Sequence, residues 1–207
     1  MTHNYFIRRI LPAILLLFCA PALCAKGKLY TSQYGRAYLQ SGETVIAEGE
    51  NRIVIPKKKE KLLINEKAYT HESKIGRKID PLEIDSVVVW SPSAPERPHT
   101  LRFIPDYGWC WQLESGPRIS IYAYSPKGYY FGGNGGGWVR GKGRLILVKD
   151  GVAYDCGRHD KNINNALRRK LAPLVADDPK LSEYILNVKG RRDKKLRVLS
   201  TYPSDNL

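Results

Sequence analysis

"RLILVKDGVAY", residues 144–154, is the stretch on which the fold class turns. Asp150-Gly151 lies between two apolar segments, and an Asp-Gly pair readily takes the positive φ angles of a tight hairpin turn. The apolar run before the turn, Leu145 to Val148, then reads as a strand.

That strand decides the reading of "GGWVRGKG", residues 136–143, just before it. Gly136, Gly141 and Lys142 reproduce the glycine-and-lysine spacing of a phosphate-cradling loop. Such a loop works because its amides converge at a helix N-terminus and a hydroxyl after the lysine holds magnesium. Here Gly143 replaces the hydroxyl residue, and a strand follows where the helix should begin. Six of the eleven residues from Gly133 to Gly143 are glycine, so a spaced match by chance is no surprise. The segment reads as a glycine-rich loop joining two strands, with no nucleotide and no cofactor expected.

Upstream, the pattern is again strands and turns. "RAYLQSGETVIAEG" places two short segments around a Ser41-Gly42 turn, "RIVIP" and "KLLIN" flank a charge run, and "SVVVW" reads as a buried strand. This strand is expected to stop at "SPSAPERP", where Pro92, Pro95 and Pro98 forbid regular ladder bonding. "TLRFI", "WCWQL" and "RISIYAY" follow. In the last, Ile119, Ile121 and Ala123 alternate with Ser120, Tyr122 and Tyr124, the period of a half-buried strand. After Gly157 the period becomes helical, with Ile163, Leu167, Leu171 and Leu174 on one stripe and Pro173 ending or kinking the helix. "DDPKLSEYILNV" has Asp178 as N-cap, Pro179 at the first helical position, and Leu181, Tyr184, Ile185 and Val188 on one face. A third short helix is expected from about Asp193 towards Tyr202. The fold class is therefore α+β and mainly β: an antiparallel sheet, sandwich or partial barrel over residues 26–157, then two or three short helices within 158–207 that pack on or beside it.

Residues 1–25 read as a signal peptide. Arg8 and Arg9 precede a short apolar run that ends in small residues, with cleavage expected after Ala22 or Ala25. The run is too short and too proline-interrupted for a membrane span. The chain holds 34 Lys and Arg against 20 Asp and Glu; losing Arg8 and Arg9 leaves 32 against 20, a net +12. That excess favours an anionic partner. A secreted or periplasmic location in a bacterial cell envelope excludes genomic DNA as the target. Cys110 and Cys156, left as a pair in an oxidising compartment, are expected to form a disulfide worth about 4 kcal/mol.

"GPRISIYAYS", a tyrosine- and glycine-rich stretch, "LAPLVADDPKLSEYI" and a late tyrosine together resemble a group of uncharacterised secreted proteins of Bacteroidota. The resemblance implies export and a β-rich body with a helical tail; it implies no activity.

Candidate site residues come from aromatics and cations. Trp109 and Trp111 share a strand face, opposite Cys110, and are read as core. Tyr129, Tyr130 and Trp138 flank mobile glycines and are candidates for stacking on a ligand. Lys57, Lys58 and Lys59, Arg168 and Arg169, and Arg191 and Arg192 belong to three basic clusters that would face an anion. His71, His99 and His159 stand alone in polar stretches and read as solvated, so no metal site is expected. Paired acids have structural readings: Asp80 precedes a proline in a turn, and Asp178 caps a helix. The function expected is a non-enzymatic envelope or secreted binding protein for an anionic envelope polymer or another envelope protein. The alternatives are an envelope hydrolase using carboxylates or Cys110, and an assembly component that docks through the aromatic, glycine-rich loop.

Overall fold

The computed structural model describes residues 32–54, 59–65, 76–131, 136–139 and 141–202. The leader expected over residues 1–25, together with Lys57, Lys58 and His71, lies outside them. The deciding turn forms as read: Asp150 has φ +50° and Gly151 φ +83°. Across it, β12 (Arg144–Lys149) pairs with β13 (Val152–Arg158), Lys149 opposite Val152.

These two strands end a large antiparallel sheet. Its other members are β1 (Ser32–Leu39), β2 (Thr44–Ala47), β3 (Arg52–Val54), β4 (Leu62–Asn65), β5 (Gly76–Ile79), β6 (Ile84–Ser91), β7 (Ala94–Ile104), β8 (Gly108–Ser115) and β9 (Ile119–Tyr124). The order is β13-β12-β9-β8-β7-β6-β1-β3-β4-β5, with β2 also paired to β1, eleven strands in all. Two short strands flank the glycine-rich stretch. Its flanks, β10 (Tyr129–Phe131) and β11 (Gly137–Val139), pair as a separate hairpin, Tyr130 opposite Trp138. Gly143 then leads into β12; a Cβ there would lie 2.5 Å from Val139 Cγ1, which only glycine avoids.

The sheet is rolled. In a flat sheet β8 and β4, with four strands between them, would lie about 24 Å apart. Yet Trp109 of β8 donates its indole N–H to the carbonyl of Glu60, next to β4, at 2.9 Å. Ile53, Leu62, Ile64 and Ile79 from β3–β5 accordingly share one core with Val87, Val89, Leu101 and Trp109. This half of the sheet covers its own inner face.

The other half is covered by helices. Its inner residues Ile119, Ile121, Leu145 and Leu147 pack against Leu167, Leu171, Leu181, Ile185 and Leu199. The first helix, α1 (Asn165–Leu171), is capped by the Asn164 side chain, which accepts from Leu167 N–H at 2.9 Å. At Pro173, which lacks an N–H, the chain tightens into a 3-10 turn, Ala172–Val175. Asp178 caps α2 (Pro179–Asn187), accepting from Leu181 N–H at 3.0 Å. After Gly190, at φ +106°, the chain turns into α3 (Arg192–Lys195) and the 3-10 segment Leu196–Thr201.

A polar latch holds this cover down. The buried Tyr202 donates its hydroxyl to Asp177, and Lys149 of β12 donates to the other oxygen of that carboxylate and to the Leu174 carbonyl, both at 2.8 Å. Arg118 and Lys149 also approach the Tyr202 ring, at 5.1 and 4.9 Å. Lys149 first, then Tyr202, holds the Asp177 carboxyl down at about 2.

Three expectations need correction. The strand "SVVVW" does stop at Ser91, with Pro92 in the turn after it, but the next strand starts earlier than "TLRFI", since β7 begins at Ala94 and runs through Pro95 and Pro98. The ladder accommodates them by a register shift: Val89 pairs with His99 and Ser91 with Ala94, so Pro95 to Pro98 face Trp90 alone. Second, Cys110 and Cys156 are free buried thiols, and no disulfide joins them. Cys110 packs with Tyr122 and Ile146 on the outer face, whereas Cys156 packs with Ile121 and Leu145 on the inner one. Strands β9 and β12 also stand between them, about 14 Å of sheet, against the roughly 4.4–6.8 Å Cα separation of a disulfide. Third, His159 is not solvated. Its Nε2 is buried without a hydrogen-bond partner, and burial, reinforced by the Arg192 cation, pushes the imidazole down to about 4. Among the described residues, no helix is long and apolar enough to cross a membrane.

Candidate functional site

Three lysine side chains converge around a concavity on the helical cover. On α2 the spacing that buries Leu181, Ile185 and Val188 puts Lys180, Glu183, Tyr184 and Asn187 on the adjoining stripe. Lys189 follows the helix directly, and the Gly190 turn brings α3 back so that Lys195 reaches the same place. These side chains enclose a groove of about 480 Å³. Half-buried Tyr184 and buried Val188, both packed on the helical core, supply its apolar part. Three lysines meet one acid, Glu183, among the described residues that line it. Such a groove can hold an anion by charge neutralisation while the Tyr184 ring packs against an apolar portion of the same ligand.

The predicted cations divide between structure and surface. Arg168 donates to the Leu186 carbonyl at 2.9 Å and to the Asn165 side chain, so it ties α1 to the end of α2, where a cation also opposes the helix dipole. Arg192 is 8% exposed, and its backbone N–H donates to the Lys161 carbonyl at 3.0 Å. Arg191 is exposed and its backbone bridges Asn162. Arg169 and Lys59 are exposed; Lys59 lies between β3 and β4, away from the helical cover in the strand order. Lys180 was missed because it stands alone in sequence, outside any charge run. Its signal was the helical stripe it shares with Tyr184 and Asn187.

The predicted aromatics divide as well. Tyr129 is 2% exposed. Its hydroxyl lies 2.8 Å from the carbonyls of Trp109 and Ala123 and accepts from Ser125 N–H at 3.2 Å. Burial raises this phenol, which serves as a pin in the core and presents no free ring face to a ligand. Tyr130 and Trp138 are cross-strand partners in the small hairpin. Trp109 is core, as read, and Trp111 packs beside it.

Nucleophilic chemistry finds little support at the thiols. Burial pushes both Cys110 and Cys156 up to about 12, which leaves almost no thiolate at neutral pH. Asp80 accepts from Leu82 N–H and Asp178 caps α2, so both acids do the turn and cap work their sequence positions imply. Among the described residues, no three His, Cys, Asp or Glu side chains come together as a metal site would require. Compared with known proteins, the chain matches no family model, no curated protein sequence and no solved structure.

Proposed function

We propose that the protein is an exported, non-enzymatic binding protein for an anionic partner of the bacterial cell envelope, and that it binds through the groove between α2 and α3. The observation that carries this reading is the convergence of Lys180, Lys189 and Lys195 on one concavity containing a single acid. The excess of 34 cations over 20 acids supports it, because a field of one sign raises the local concentration of oppositely charged ligand. The basic, then apolar, then small-residue pattern of residues 1–25 supports export, and kinship with secreted Bacteroidota proteins belongs to the same proposal. An envelope polymer carrying carboxylate, sulfate or phosphate groups fits the groove's charge.

The test is a salt titration of binding to dextran sulfate, with neutral dextran of the same length as control. The sulfated polymer should bind, with an affinity that falls steeply as salt rises, and the neutral one should not compete. Equal binding of both polymers, or sulfated binding insensitive to salt, would overturn the reading. Intact mass of the protein from producing cells should begin after Ala22 or Ala25; a soluble cytosolic species starting at Met1 would remove the export half.

A further inference from the structure

The outer face of the rolled half carries a second concavity, and it differs from the lysine groove in chemistry. Arg36 and Tyr38 of β1 and Val88 and Trp90 of β6 point outward, opposite the buried Ala37, Val87 and Val89. Trp90 occupies the register shift between β6 and β7, and bulges commonly re-aim a side chain in this way. Pro95 and Pro98, from the segment facing Trp90, close one side, while Glu48, just past β2, closes the other. The enclosed space is about 400 Å³.

Its polar groups lie close together. The Arg36 guanidinium lies 5.6 Å from the Trp90 ring centroid and 3.6 Å from a Glu48 carboxylate oxygen. A planar donor fork thus lies beside a planar acceptor, and the single 3.6 Å contact leaves most of the five guanidinium N–H donors and the carboxylate lone pairs for a ligand. The pair has no net charge, unlike the lysine groove.

Together these features fit a sugar. A pyranose has an apolar C–H face, which suits the electron-rich face of Trp90 or Tyr38, and a rim of hydroxyls that need donors and acceptors at once. An added β-strand has nothing to join here: β1 is paired on both sides, to β2 and β3 and to β6, and β6 is itself paired to β7. An anion would gain no net charge from Arg36 with Glu48 beside it. We infer that the Trp90–Tyr38–Arg36–Glu48 concavity on the outer sheet face is a binding site for a neutral oligosaccharide, stacked on the aromatic rings and hydrogen-bonded by the ion pair. It is independent of the groove on the helical cover.

The test is calorimetric titration of the full chain with neutral hexasaccharides of glucose, N-acetylglucosamine, xylose and mannose backbones, and with a proline-rich decapeptide. At least one hexasaccharide should bind. Trp90→Ala should weaken it by about tenfold or more, and Trp90→Phe, which keeps a ring, should retain most of the affinity. Glu48→Gln should weaken it several-fold. An unchanged urea unfolding midpoint in Trp90→Ala would show that this variant is folded, and if Trp90→Ala does not fold, the Trp90→Phe and Glu48→Gln pair carries the test. Binding of no hexasaccharide, sugar binding indifferent to the substitutions, or binding of the peptide in place of every sugar would overturn the inference.

Discussion

The two halves of the sheet solve one problem in different ways. From β1 to β8 the sheet curls until β3, β4 and β5 cover its inner face, and Trp109 stitches the closure to Glu60. Over β9, β12 and β13 the inner face is covered instead by the helices after Gly157, latched through Lys149, Asp177 and Tyr202. A sheet that covers itself leaves its outer face for ligands. A sheet covered by helices gains a third surface, and helices can carry charge on their exposed stripes without disturbing the ladder beneath. The polar groove accordingly lies on the cover and the aromatic concavity on the bare outer face.

The largest expected effect tests the self-covered half. Trp109→Ala removes a side chain 1% exposed together with its hydrogen bond to the Glu60 carbonyl, and should cost about 3–5 kcal/mol in urea unfolding. If the halves form one cooperative unit, the helical signal should shift with it. Two separate transitions would show that the covers are independent.

A smaller effect belongs to the boundary between β13 and the helical cover. His159 is held neutral by burial and by Arg192, so its folded value of about 4 lies below the 6.5 of an ordinary histidine. The unfolded chain therefore takes up a proton that the folded one refuses. Stability is complete above about pH 6.5, is lost as pH falls, and levels off below about 4, a loss of up to about 3 kcal/mol. His159→Gln should flatten that window in chemical denaturation measured against pH; an unchanged slope would contradict it.

Most of the fold was legible because local signals and tertiary structure agree. Asp150-Gly151 specified its turn, Asp178-Pro179 its helix start, and the Ile119–Tyr124 alternation its two faces. Whether the sheet rolls stayed open between sheet, sandwich and partial barrel, since it depends on contacts between β8 and the β4 end that no local pattern encodes. The disulfide expectation failed for a related reason: pairing two cysteines by count ignores which face of the sheet each occupies. Among the site residues, Tyr129 looked available because it neighbours glycines, yet three backbone partners hold its hydroxyl inside. Charge runs were informative only in part. Arg168 and Arg192 serve the packing of the tail, whereas the groove takes Lys189 and Lys195 from the basic run 189–197 and adds the isolated Lys180.

The most direct measurement of the functional account is the affinity of the triple variant Lys180→Gln, Lys189→Gln, Lys195→Gln for dextran sulfate at low salt. Each lysine should contribute about 1 kcal/mol at an anionic surface, so the variant should bind on the order of 100-fold more weakly, with a shallower salt dependence and an unchanged unfolding midpoint. Full affinity in the triple variant, with binding lost instead on substituting Lys59 or Arg169, would contradict the placement of the site on the helical cover.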